Sequence, residues 1–430
     1  MAKQHRWLRA EIERWRAEGL IDPGLAATLT ERYPLAEERA WGRLIFSAIG
    51  AVLIGLGVIL FFAYNWEDLP KFVKLGLVAV ALAASHGAAL WLAREPTRPR
   101  SMIEGLHILG TMLFGAGIWL VAQVYHIDEH YPNAILVWGL GALALAWTLP
   151  SLAQAFLALA LVVFWSGVEL FEYQWGSHWA PLLVGAGVLP LAWTERSRTL
   201  LFFALAAFLG VLILAAVPLE DELAFSLATF TAVFYVALGL LADRSDFPAS
   251  AWVLKAVGFA GYFALLYIYS FAEAVEVLDD LSLAKPAVQA YFWVSLLLAA
   301  LAWLATPVLG LRRLSVYWQW HWGLLAVPLV VVAAVSLEIL PLTDWVAAIP
   351  FNLVILGHCI VFILQGTRAG DVKLVSIACV LFTALIFARY VDLFESLLLR
   401  SAIFLALGAG IFVVGNFYNR SKRWLEGTAG

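Results

Sequence analysis

From Gly42 onward the chain is a succession of apolar runs, most of them near the length of about 20 residues that a helix needs to cross a hydrocarbon layer of about 30 Å. Fourteen can be marked, at approximately 42–64, 71–92, 103–124, 132–149, 151–169, 179–193, 199–217, 223–241, 252–271, 286–305, 316–339, 345–364, 373–388 and 397–418. Lipid offers a backbone no hydrogen bonds, so runs of this length must satisfy their own N–H and C=O groups as helices. The fold class expected is therefore an all-α, polytopic transmembrane helical bundle of about 14 spans. Composition agrees, since 63% hydrophobic residues, 13% charged residues and a mean hydropathy of +0.87 leave too little polar surface to enclose such a core in water. The lipid bilayer is the first partner expected. A formal charge of −4 carries no signature of nucleic acid, and none is expected as a partner.

The closest pair of runs meets at Pro150 and Ser151. Fused, they would make a helix roughly 57 Å long at 1.5 Å per residue, too long for one crossing. They are read as two spans. Trp66, Trp91, Trp147, Trp193 and Trp345 fall at the ends of runs, where a part-polar ring favours the headgroup level. Cys359 and Cys379 lie within apolar runs and are read as buried packing thiols.

Charge orients the array. With the N-terminus inside, only Lys71, Lys74, Lys285, Arg389 and Arg400 of the 27 basic residues fall in outer segments. Outer loops are acidic instead, at Glu67-Asp68, Asp128-Glu129, Glu220-Asp221-Glu222 and Asp279-Asp280. This bias predicts both termini inside. No outer loop is long enough to fold as a domain, so the work of the protein is expected within the membrane part.

Residues 1–41 differ, being rich in Arg and Glu. They precede the first long apolar run and do not read as a signal peptide. Trp7, Leu8, Ile12 and Trp15 can share a helical face, Gly19 can stop that helix, and Asp22 with Pro23 can cap and begin a second one ending before Pro34. Two readings stand: a cytoplasmic helical hairpin that binds a protein partner, or an amphipathic segment lying on the inner surface. The chain thus divides into 1–41, a first membrane part at 42–195 and a second at 196–430.

Within the first part a pattern recurs at a constant offset of sixty positions: Gly50, Leu53, Gly55, Gly57 and Leu60 match Gly110, Leu113, Gly115, Gly117 and Leu120. Both copies leave the cytoplasm in the same direction, so spans 1–4 read as a parallel two-helix repeat, a design that transporters use. The glycines themselves read as packing surface.

Both copies end in polar and aromatic groups. Asn65, Trp66, Glu67 and Asp68 follow the first, and Gln123, Tyr125, His126, Asp128, Glu129 and His130 follow the second. Such groups at the lip of the hydrocarbon either line a cavity or seal a helix end. As a site, Asn65 and Gln123 would hydrogen-bond a substrate, His126 would carry a proton, and the carboxylates would hold a cation. His126 and His130 are four apart but lack the order of a zinc motif, so no metal site is assigned. A second outer group, Arg389, Tyr390, Asp392, Glu395 and Arg400, suits a phosphate or lipid headgroup, or an interfacial Arg389–Asp392 pair. His86, His107, His321 and His358 with Gln319, Asn352 and Asn416 are scattered along the runs, where each reads as a bond between two helices rather than as a relay. Glu104 and His107, one turn apart, are a candidate pair. No phosphate-binding loop, nucleophile elbow or cysteine cluster occurs, no catalytic residue is assigned, and no cofactor is expected.

The segments GVILFFAYNW and LFGAGIWLVAQVYHI, Trp138 after them, and Trp15, Gly19 and Tyr33 of the basic N-terminal segment resemble a bacterial integral membrane protein family catalogued as domain of unknown function 2157. The resemblance is best over residues 1 to about 150, and ARYVDLF near the C-terminus is similar to the end of longer members. It implies a multi-pass protein of the bacterial inner membrane and brings no activity with it. The function expected from the residues is transport or flipping of a small polar or lipid-linked substrate. The alternatives are a membrane-embedded transferase using carboxylates such as Glu67 or Asp128, and a non-catalytic scaffold or sensor.

Overall fold

The computed structural model describes residues 2–32, 70–95, 97–127, 130–309, 314–340 and 348–393, with single positions or short pieces in 45–60 and at 346, 401 and 405. Everything regular among the described residues is helix. Ten helices there are long and apolar enough to cross a bilayer, and two shorter apolar ones, Pro132–Thr148 and Trp179–Thr194, accompany them. The chain is thus a multi-pass membrane protein. It forms two compact units, Met1–Trp165 and Ser166–Gly430.

In the first unit, α1 (Ala2–Ala17) and α2 (Pro23–Arg32) form the N-terminal hairpin. Gly19 takes the left-handed conformation expected of a stop (φ 72), and Asp22 Oδ1 caps α2 by accepting from the backbone N–H groups of Gly24 (2.7 Å) and Leu25 (3.0 Å). Ile12 of α1 and Ala26 of α2 are buried. Next come α3 (Lys71–Leu92), α4 (Arg100–Tyr125), α5 (Pro132–Thr148) and α6 (Leu152–Tyr173), whose last turns lie in the second unit. The break at Pro150 does separate two helices. Ser151 begins the second of them, its Oγ accepting from the Gln154 N–H at 3.3 Å.

The glycines of the repeat do unequal work. A Cβ on Gly110 would run into the His86 ring, and one on Gly115 into the Trp138 indole. Gly55 lies against Met112 and Leu109, at 3.6 and 3.7 Å from where its Cβ would be, while Gly50 and Gly57 face open space among the described residues. Small residues here make room for large rings, the packing that drives helix association where no hydrophobic force operates.

The second unit continues with α7 (Trp179–Thr194), α8 (Arg198–Ala216), α9 (Asp221–Leu241) and α10 (Ser250–Ile268). Short α11 (Ala272–Glu276) precedes α12 (Pro286–Leu309), α13 (Val316–Ser336), α14 (Ile349–Ala369) and α15 (Val372–Leu393). The middle of α7, Leu183–Val188, widens to a π-helix just before Pro190, which has no N–H and cannot continue a regular ladder. Ser197 caps α8, accepting from the Leu200 N–H, and Asp221 and Glu222 open α9 where the helix dipole favours negative charge.

Helix α9 is the centre of this unit, with α8, α10, α12 and α13 packed around it and most of its surface buried. Gly239 of α9 accepts the flank of α10 at Lys255 and Ala251, and Gly258 of α10 accepts α9 at Val236 and Tyr235, so the two helices notch into each other. Polar groups are bonded across helices: the Trp303 and Trp322 rings stack at 4.5 Å, and each indole N–H donates to the other's carbonyl (2.9 and 3.0 Å). Cys359 is buried as expected, but Cys379 is exposed on α15. A helix apolar all round shows lipid the same chemistry that it shows its neighbours, so an apolar run does not fix which of its residues are covered.

Candidate functional site

One face of α4 carries Glu104, His107 and Thr111, spaced three and four apart and therefore aligned. All three find partners on neighbouring helices. His107 Nδ1 meets Nδ1 of His86 on α3 at 2.9 Å, so one of the facing nitrogens carries the proton and the other accepts it. Thr111 donates to the His107 carbonyl (3.0 Å) and accepts from Nε2 of the fully buried Gln154 on α6 (2.9 Å). Glu104, expected to pair with His107, instead accepts from the Ser151 hydroxyl (2.7 Å) and faces Arg100 Nε at 3.4 Å. Trp138 of α5 joins the column by donating to the Thr111 carbonyl at 2.8 Å. A polar column thus runs from the Arg100 end of α4 to near its middle.

Beyond that point the same helix borders a cavity of about 640 Å³. Leu75, Val78 and Leu82 of α3 and Leu113 and Gly117 of α4 line its walls. His130, Tyr131 and Asn133, around the start of α5, line it as well and bring polar groups to the Tyr125 end. An apolar wall with polar groups gathered at one end matches an amphiphile: a chain along the wall and a head among side chains that hydrogen-bond.

The residues singled out from sequence fall unevenly. Gln123, Tyr125 and His126 stand exposed at the end of α4 and do not line the cavity, although Trp119, Ala122 and Ile127 beside them do. His126 closes the helix in the left-handed conformation (φ 51), so it and His130 are not the i, i+4 pair of one helix. Asn65, Trp66, Glu67, Asp68, Asp128, Glu129, Glu395 and Arg400 lie outside the described residues, as does the side chain of Asp392. Arg389, in the second unit, reaches the Ser270 hydroxyl at 3.5 Å and lies over the Phe271 ring, 4.8 Å from its centroid. Asn352 donates to the Ser270 carbonyl at 3.2 Å.

The family comparison falls on the first unit. Residues 13–155 match the family model described as predicted membrane protein (DUF2157). The DUF2157 segment holds most of the α1–α2 hairpin, the polar column and all the cavity lining. It also holds Gly110, Gly115 and Trp138, which shape the column. No curated protein and no solved structure matches the chain. What sequence reasoning missed was the coherence of the column, and its signal was present as Glu104, His107 and Thr111 at helical spacing in an otherwise apolar run.

The column makes a stability prediction. Replacing Thr111 by valine leaves Gln154 buried without its partner, at an expected cost of about 1–3 kcal/mol. Adding Gln154→Leu should recover part of that loss, because both polar partners are then gone. Melting of the purified protein in micelles checks this; additive losses would show that the two residues are not coupled.

Proposed function

We propose that the protein is a transporter or flippase for a lipid-linked or similarly amphiphilic substrate, embedded in a bacterial inner membrane with both chain ends inside. The observation that carries this reading is the cavity at the Tyr125 end of α4, apolar along its walls and polar only around His130, Tyr131 and Asn133. In this orientation that end is the outer one, and the polar column from Arg100 to Thr111 approaches the cavity from the inner side of the same helix. A route of this kind gives a headgroup hydrogen-bonding partners at successive depths while its chain stays in lipid. The exposed Gln123, Tyr125 and His126 then belong to the outer surface around the mouth.

The test is lipid movement in reconstituted vesicles. With a fluorescent short-chain phospholipid in both leaflets and an impermeant reductant outside, empty vesicles keep about half their signal, since only the outer leaflet is reached. Native protein should carry the loss well past that plateau. Ala134→Trp, which fills the cavity from α5, should restore the plateau of empty vesicles. Equal plateaus for native protein and empty vesicles would remove the lipid reading.

A further inference from the structure

A second histidine pair lies in the second unit, built from residues far apart in the chain. His321 of α13 and His358 of α14 face each other Nδ1 to Nδ1 at 2.7 Å, and their rings stack at 5.0 Å with an interplanar angle of 10°. Both residues are wholly buried. His358 Nε2 continues to the hydroxyl of Tyr262 on α10 at 3.3 Å, and that hydroxyl donates to the Leu324 carbonyl at 3.4 Å.

This arrangement assigns the protons. Because Tyr262 donates to Leu324, it accepts from Nε2–H of His358, which leaves His358 Nδ1 as an acceptor. The proton between the rings is then the Nδ1–H of His321. His321 Nε2 is left as a bare lone pair, and it is buried with no hydrogen-bond partner among the described residues. A buried basic nitrogen in this state is an open proton acceptor at the end of a bonded chain of three side chains.

The surroundings are aromatic. The Phe362 ring is 4.3 Å from His321, Trp318 is 5.3 Å away and Phe259 is 5.8 Å away, while Tyr262 and Phe263 stand at 5.4 and 5.3 Å from His358. A ring that turns its face to a cation within about 6 Å attracts it through the ring quadrupole. Among the groups on the packed helices, Lys255 of α10 lies over the Trp318 ring, 4.8 Å from its centroid, and is held by Asp243 at 3.3 Å. Arg368 of α14 lies over Tyr317, and Cys359 adjoins His358 in the chain. No carboxylate bonds to the pair among the described residues, so a positive charge here would rest on the rings and on sharing between the imidazoles.

We infer that His321 and His358 form a single-proton binding site inside the second unit, which takes a proton from water onto His321 Nε2 and spreads the resulting charge across the bond to His358. The uptake is balanced: one proton enters, the pair passes from neutral to singly positive, and the bridging proton stays between the two Nδ1 atoms. A charge-assisted bond of this kind is about twice as strong as its neutral form. The inference stands on the second unit alone and does not depend on lipid movement by the first.

The test is nitrogen NMR of the full-length, histidine-labelled protein in lipid bilayers, titrated from about pH 8 to about pH 4. The expected result is one proton taken up by the pair, with both rings' signals moving together at one midpoint. His321→Asn should abolish that joint transition and so assign it. Tyr262→Phe keeps the ring and removes the acceptor for His358 Nε2–H, so it should lower the pair's proton affinity by about tenfold. Two independent midpoints, or signals unmoved to about pH 4 while circular dichroism still reports the native helix content, would overturn the inference.

Discussion

Replacing Gly258 by leucine is expected to cost the second unit about 3 kcal/mol or more, at the upper end for overpacking a close contact. A Cβ at Gly258 would sit 2.8 Å from Val236 Cγ2, 2.9 Å from the Val236 backbone nitrogen and 3.0 Å from Tyr235 Cβ. Two of these are backbone or the first carbon of a side chain, and no rotamer change can move them. Helices α9 and α10 would have to separate, and α9 is the element on which α8, α12 and α13 also pack. Gly210→Leu on α8 is the control, because a Cβ there meets nothing within 4 Å. Melting in micelles should place Gly258→Leu far below Gly210→Leu; equal melting would mean that the α9–α10 contact is not close in the protein.

Gly110→Leu is expected to disable the column of the first unit while testing a different response. Here the obstruction is the His86 ring, a side chain that can swing away, and doing so breaks its 2.9 Å bond to His107. His107 is buried, so overpacking of about 1–3 kcal/mol is joined by a similar cost for an unpaired polar group. His86→Ala in the same background should relieve the overpacking and restore part of the stability, although the bond stays lost. Failure of that second change to restore anything would place the collision somewhere other than at His86. A transporter that uses the column should lose lipid movement in both variants, since each lacks the His86–His107 bond.

Several features of the fold were legible because they depend on local rules. The separation of α5 from α6 follows from the helix break at Pro150 and Ser151, and the turn between α1 and α2 follows from Gly19 and Asp22, whose conformation and capping need no distant residue. The helices from Lys71 to Leu393 lie close to the apolar runs, since a chain in lipid must bond its backbone to itself. The family resemblance was legible for the same segment that the DUF2157 match covers.

The candidate site was less legible. Polar residues at the ends of runs attract notice, which is why Gln123, Tyr125 and His126 stood out, yet they do not line the cavity beside them. Histidines scattered inside runs carry no pattern along the chain. His321 and His358 are 37 positions apart and Gln154 is 43 from Thr111, so their meeting depends on which helices become neighbours and at what rotation. Glu104 and His107 show the same limit at close range, because one-turn spacing permits a pair but a nearer hydroxyl and guanidinium took the carboxylate.

What the residues alone determined is the class of the molecule: long apolar runs force helices, and helices of that length and composition require a membrane. What only the tertiary structure decided is which polar groups meet. Every helix in such a bundle is apolar on most of its surface, so hydropathy does not distinguish the side that packs from the side that faces lipid, and the exposed Cys379 is one result. Shape makes that distinction instead. Gly110 against the His86 ring, Gly115 against Trp138 and the mutual notches of Gly239 and Gly258 set which helices approach closely and how they are rotated. In the first unit that rotation brings His86 to His107 and Gln154 to Thr111, and in the second the packing of α10, α13 and α14 joins His321, His358 and Tyr262.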